Sequence, residues 1–291
     1  MSFEKRALQV TFRLADMKFT NGADQIDLSG YRVEVEVDNP GGFLSMAGLQ
    51  MRIFGMALSD MNTLSTDGRG ILGIRNDQLA VSAGDEGNPL SQVFDGTIGT
   101  AFIDYESAPE VPLIVIARTG ILWQAKPVSP NSYRGPVDAA KLVGDLAGAM
   151  GYAFRNHGIS GLMVTNPYLP GTLVDQIYAV ARAVGVSVSI SNGTVEIWPN
   201  GGRSEGAVIE IGPETGLIGY PSFTPTGIRI RSQFVPALTA GRVVNLTTSV
   251  TRSQGEWVVQ SVRHRLSSMA PKGPWFSECF LVKEGLYVPR N

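Results

Sequence analysis

Charge is scarce in this chain. Asp, Glu, Lys and Arg make up 17% of its 291 residues, below the quarter usual for a soluble domain. With 43% hydrophobic residues there is ample material for a core, and the thin charge fits a surface covered in part by other subunits. The net charge of −2 excludes general affinity for nucleic acid, which needs a basic face. Cysteine occurs once, as Cys279, so no intramolecular disulfide can form, and the residue reads as a small buried hydrophobe. The two histidines, His157 and His264, lie too far apart to give zinc-ligand spacing with that one thiol. No apolar run approaches the roughly 20 residues of a membrane span. The opening MSFEKRALQV carries charge with no apolar run behind it, so no secretory signal is read there. The expectation is a protein made in the cytoplasm.

Glycine (34) and proline (17) are abundant, as short strands and many turns require. The last seventy-odd residues organise the rest. Ile228, Ile230 and Phe234 alternate with Arg229, Arg231 and Gln233, the period of a half-buried strand. Val243–Val250 and Trp257–Leu266 repeat that habit, and Trp275–Val282 returns after a turn at Pro271–Pro274. Such an antiparallel sheet hides its edges either by curling into a barrel or by pairing with another chain. At the other end, Ala7–Leu14 and Tyr31–Val37 alternate and read as a hairpin with a long polar connection, stopped at Asn39-Pro40-Gly41-Gly42. Strands at Gln50–Phe54, Gln78–Ser82, Ser91–Asp104 and Val111–Ala117 follow, with a helical turn at Ser59–Leu64.

The middle changes period. Ala139, Leu142, Val143, Leu146 and Met150 share one face of a helix over Asp138–Met150, with Gly151 as its stop. Thr172 caps a second helix striped by Leu173, Ile177, Val180, Ala181 and Val184, and Gly185 ends it. Asn192-Gly193 then joins Val186–Ile190 to Thr194–Trp198 as a hairpin. The fold class expected is β-rich α+β. Two similar antiparallel β-barrel domains, residues 1–124 and 206–291, flank an inserted α/β domain of two helices and a hairpin, residues 125–205. The similarity rests on a faint repeat: GLQMRIFGMALSDMNTL answers TGIRIRSQFVPAL, DQLAVSAG answers GRVVNLTTS, and both halves end in a strand, an Ala-Pro bend and a return strand.

No residue set carries a catalytic pattern. Asp104, Glu106 and Glu110 read as paired carboxylates or as a solvated loop, and nothing in the spacing sets their separation. Asp85-Glu86-Gly87-Asn88 lacks the regular ligand spacing of a calcium loop. GDLAGAMG sits in a helix and not between a strand and a helix, which speaks against dinucleotide binding. Cys279 has no identifiable base. Met46, Met51, Met56 and Met61 recur every five residues, which fits neither a helix nor a strand face, and read as core or as adaptable interface packing. Arg229, Arg231, Arg242, Arg252, Arg263 and Arg265 tilt the last domain basic. They read as exposed strand faces, or as the lining of a lumen or subunit interface.

The series GIRIRSQFVPALTAGRVVNL, GEWVVQSVRHRLSS and PKGPWFSECFLV resembles the C-terminal part of phage tail baseplate hub proteins, which are related to the bases of type VI secretion spikes. LPGTLVDQIYAVARAVGVSVSISNGTVEIWP is similar to their central α/β domain, and the resemblance spans about residues 125–288. It implies tube-like barrel domains and a homotrimer whose six barrels continue a six-fold tail tube and adapt it to a three-fold spike. The implied partners are a tail tube or distal tail protein above, a spike protein below, and a tape-measure protein. DNA would pass through the channel without specific binding. The implied location is the virion baseplate, assembled in the host cytoplasm. No catalysis, cofactor or metal is implied, and Arg229, Arg231, Arg242, Arg263 and Arg265 become the candidates for lumen or subunit interface. Two rivals remain: a wall-degrading hydrolase, and a sugar-binding module using Trp123, Tyr133 and Tyr168.

Overall fold

A computed structural model describes residues 5–66 and 75–286. Its first strands are β1 (Arg6–Arg13), β2 (Gln25–Ser29), β3 (Arg32–Asn39), β4 (Leu44–Met46), β5 (Gly48–Phe54), β6 (Gln78–Asp85), β7 (Ser91–Ile103) and β8 (Pro112–Arg118), with helix α1 (Leu58–Leu64) after β5. The middle holds α2 (Ile121–Ala125), β9 (Asn131–Ser132), β10 (Pro136–Asp138), α3 (Ala139–Ala149), β11 (Ala153–Asn156), β12 (Met163–Thr165), β13 (Tyr168–Leu169), α4 (Leu173–Val184), β14 (Val186–Ser191) and β15 (Thr194–Pro199). The last part is β16 (Ile209–Ile211), β17 (Leu217–Thr224), β18 (Gly227–Gln233), β19 (Val243–Leu246), β20 (Gly255–Ser268) and β21 (Trp275–Val282). Antiparallel sheet dominates and helices are few.

The described residues divide into two compact units. Of these, unit 1 takes 5–38, 47–66, 75–122 and 264–275; unit 2 takes 39–46, 123–263 and 276–286. In unit 1 the strand order is β2-β1-β6-β7-β8-β5-β3, every neighbour antiparallel. Strict alternation buries Leu8, Val10 and Phe12 from β1, Val33, Val35 and Val37 from β3, and Leu79, Val81 and Ala83 from β6 on one face. Helix α1 is too short to stand alone and packs Met61 and Leu64 inward against β7. The expected hairpin of β1 with β3 does not form: β1 pairs with β2 and β6, and β3 with β5. The polar connection conceals β2, which gives only Leu28 to the core and is held by Thr11 Oγ1 donating to Asp27 Oδ1 at 2.5 Å.

Unit 2 contains an α/β layer and a sheet. In the layer, α3 and α4 pack their apolar stripes on a four-stranded sheet ordered β11-β15-β14-β4. The caps read from sequence are in place. Asp138 accepts from Lys141 N at 2.9 Å, and Thr172 and Asp175 form a reciprocal capping box. Gly185 closes α4 in the left-handed conformation, and Asn192 and Gly193 turn the β14–β15 hairpin at positive φ. Strand β4 is a surprise beside the expected stop at Asn39–Gly42. It adds parallel to β14, Leu44 opposite Val188 and Met46 opposite Ile190, so β14 has neighbours on both sides and five of its six residues are buried. In the sheet, β17-β18-β21-β20 are neighbours, β19 lies on β20, and β16 runs parallel to β19 over a core of Ile228, Ile230, Leu246, Val259 and Leu281. The expected strand Val243–Val250 stops at Leu246, because Thr248 Oγ1 turns back to accept from Val250 N.

The faint sequence repeat has a topological counterpart. Chain order β5, β6, β7, β8 gives neighbours β5-β8-β7-β6, and chain order β18, β19, β20, β21 gives β18-β21-β20-β19. Register repeats too. Leu49–Ala117, Met51–Val115 and Ile53–Leu113 across β5–β8 correspond to Ile228–Leu281, Ile230–Cys279 and Ser232–Ser277 across β18–β21. On the flank, β3 borders β5 as β17 borders β18.

Candidate assembly surfaces

Alternation along β18 buries Ile228, Ile230 and Ser232 and turns Arg229, Arg231 and Gln233 outward. Opposite them on β21 stand Phe280, Glu278 and Phe276. The Arg231 guanidinium donates from Nη2 to Glu278 Oε1 at 2.6 Å and lies 4.6 Å from the Phe276 ring centre. Arg229 faces Phe280 on one side and Ser222 of β17 on the other. The structure therefore brings these two arginines together on one exposed face. Arg242 does different work: it is half-buried, and its Nη2 donates to Ala207 O at 2.7 Å. Gly206 beside it sits at φ +146°, a backbone conformation that favours glycine. Arg263 and Arg265 are half-buried on β20, and Arg265, which belongs to unit 1 as Glu36 does, has its Nε 3.0 Å from Glu36 Oε2. Arg252 is exposed on the short turn Thr251–Ser253.

Sequence reasoning missed a second class of surface residue. Strand β17 exposes Ile218, Tyr220 and Phe223, and a bulge lies between Ile218 and Ser222, where Gly219 and Tyr220 are exposed and Pro221 is buried. In unit 1, β7 and β8 expose Phe102 and Ile116 on one face, and Tyr105 follows on the turn after β7. The only sequence signal for β17 was LIGYPSFT, whose glycine and proline break the strand period.

The residues considered for chemistry are occupied structurally. Asp104 caps the turn Tyr105–Ser107, accepting from Glu106 N at 3.2 Å and Ser107 Oγ at 2.6 Å, while Glu110 binds Arg32 at 2.6 Å. His157 Nδ1 accepts from Glu205 N at 3.2 Å, and His264 is buried. Glu86 pairs with Lys5 at 3.0 Å. Burial, with a smaller contribution from Glu278, pushes the Cys279 thiol up to about 12, which keeps it protonated and poorly nucleophilic. Met51, Met56 and Met61 are core, and Met46 packs at the margin of the α/β core. Trp123 and Tyr133 also pack there, leaving Tyr168 alone exposed of the three aromatics. Among the described residues no three His, Cys, Asp or Glu side chains converge to hold a metal ion. No described helix is long and apolar enough to cross a membrane.

No protein-family model matches the chain, and no curated protein matches it in sequence. Solved structures do share its fold. A tail protein from Neisseria meningitidis superposes with a TM-score of 0.60 at 11% identity, covering 96% of this chain and 98% of that one. The 43 kDa tail protein of prophage MuSo2 from Shewanella oneidensis gives 0.61 at 8% identity, with 95% and 97% covered. A component of the Escherichia coli type VI secretion system, itself described as structurally similar to T4 bacteriophage tail proteins, gives 0.58 at 9% identity, with 96% and 79% covered. The chain has the fold of phage tail proteins and of a type VI secretion component.

Proposed function

We propose that this chain is a structural protein of a tail baseplate: a trimeric hub that continues the tail tube and adapts its six-fold symmetry to a three-fold spike. The observation that carries the reading is an end-to-end match to two tail proteins, over 96% and 95% of this chain. On this reading residues 1–124 and 206–291 are tube-like barrels, and residues 125–205 are an inserted α/β domain that holds partners. The repeated strand order and register support a duplicated module, so three chains would display six. The work is geometric, with no chemistry of its own: barrels joined between subunits satisfy strand borders and wall a channel. A net charge of −2 suits a channel through which DNA slides without strong cationic grip.

The partners are a tail tube or distal tail protein, a spike protein and a tape-measure protein, in a virion tail assembled in the host cytoplasm. Arg229, Arg231, Arg242, Arg263 and Arg265 line the lumen or a subunit interface. The exposed pair Arg229 and Arg231 is the best placed, since Arg242 is committed to Ala207. Trimerisation on this plan buries well over about 2,000 Å². Light scattering on the purified full chain, alone and with its spike protein, tests the reading. A trimer or a co-assembly is expected, and a chain that stays monomeric under both conditions overturns it.

A further inference from the structure

The two equivalent edges of the repeat are treated differently. In unit 1 the edge of β3 is covered: the segment His264–Ser268 lies beyond it, with Ser268 Oγ donating to Tyr31 O at 2.9 Å and Arg265 paired to Glu36. In unit 2 the equivalent edge is β17, and among the described residues it ends the sheet with no strand beyond it. Register aligns the two strands residue by residue. Glu36 opposes Gln50 and Val37 opposes Leu49, while Ser222 opposes Arg229 and Phe223 opposes Ile228. Val37 is 0% exposed, whereas its counterpart Phe223 is 57% exposed. An apolar residue left open where its twin is buried marks a missing neighbour.

The repeat also says what kind of strand is missing. The covering segment is the far end of β20, beyond the part paired with β19. The counterpart of β20 is β7, of nearly equal length at 13 against 14 residues, and paired with β6 only as far as Thr97. Its far end carries the exposed Phe102 and leads to the exposed Tyr105. Thr66 bonds the outward backbone groups of Ala101 and Phe102 pairs with Ile114 of β8, so the outward backbone groups left to a partner begin at Ile103, with the Phe102 side chain exposed beside them. On β17, Pro221 lacks an N–H and the bulge interrupts pairing, which confines any ladder to its flanks, chiefly Ser222–Thr224.

We propose that the β17 edge, with Ile218, Tyr220 and Phe223, is covered by the far end of β7, with Phe102 and Tyr105, from a second copy of this chain. The inference rests on the hub reading and adds which edges meet. At the position of Glu36 stands Ser222, so this junction lacks the Arg265–Glu36 ion pair of the covered edge and relies on the apolar side chains.

The test places p-benzoyl-phenylalanine at position 223 of the full chain and mixes isotopically light and heavy copies before irradiation. Crosslinks from position 223 of one copy to residues 98–107 of another are expected. Crosslinks between copies that map elsewhere overturn the edge assignment while leaving the hub reading standing. A chain that remains monomeric alone and with the spike protein overturns both. Phe223→Asp and Phe102→Asp should each weaken self-association at least about tenfold, the scale of one lost apolar anchor. Because both side chains are exposed in the single chain, circular dichroism and the Tm measured at concentrations too low for self-association should stay unchanged. Unaltered self-association in both variants overturns the proposal.

Discussion

Cys279 shows how position alone decides reactivity. Its thiol, pushed up to about 12 by burial, stays protonated at neutral pH. The native protein should therefore give no reaction with a thiol reagent at pH 8 and one equivalent after unfolding in guanidinium, measured by absorbance. Asp95 sits part-buried on β7, and desolvation raises its carboxyl above the ordinary 3.8 against the opposing pull of Gln92 and Arg13. A raised carboxyl favours the protonated form in the folded state, so ionisation costs stability as pH rises above the unfolded value. Asp95→Asn should raise Tm at pH 7, and the gain should fade near pH 3, where the Asp95 carboxyl is mostly protonated in both the folded and the unfolded state. Cys279 was legible as a core residue because a lone thiol in an apolar strand has few other roles. Arg242 was not: its partner is a carbonyl 35 residues away, a distance no local pattern encodes.

Among elements, helices were the most legible. Their caps, stripe and stop are local, and α3 and α4 fall within a residue or two of the periodicity. Thr172 anchors the capping box of α4, so Thr172→Ala should cost about 1 kcal/mol, read as a lowered denaturation midpoint. Strand β18 begins at Gly227, where a Cβ would run into the carbonyl oxygen of Leu281 on β21. Gly227→Ala should displace that end of the ladder, and faster amide exchange at Ile228 and Leu281 would report it. Strands β4 and β17 escaped the sequence for different reasons. Three residues are too few to show a period in β4, and a bulge with Pro221 destroys the period in β17.

For the molecule as a whole, Arg229 and Arg231 separate stability from assembly. Arg231 makes an exposed pair with Glu278, and such pairs contribute about 0–1 kcal/mol. Replacing both arginines by Gln should leave the Tm of the single chain nearly unmoved, and on the proposed function it should weaken trimer or spike association in light scattering. The alternation of apolar residues, the two helical stripes, the hairpin signal at Asn192-Gly193 and the scarcity of charge were determined by the sequence itself, because each depends on neighbours a few positions away. Pairing β1 with β2 and β6, docking Leu44–Met46 onto β14, and leaving Phe223 exposed where Val37 is buried were decided only in three dimensions. Strand partners far apart in the chain are selected by which edges and faces are still uncovered, and that choice exists only once the other strands are in place.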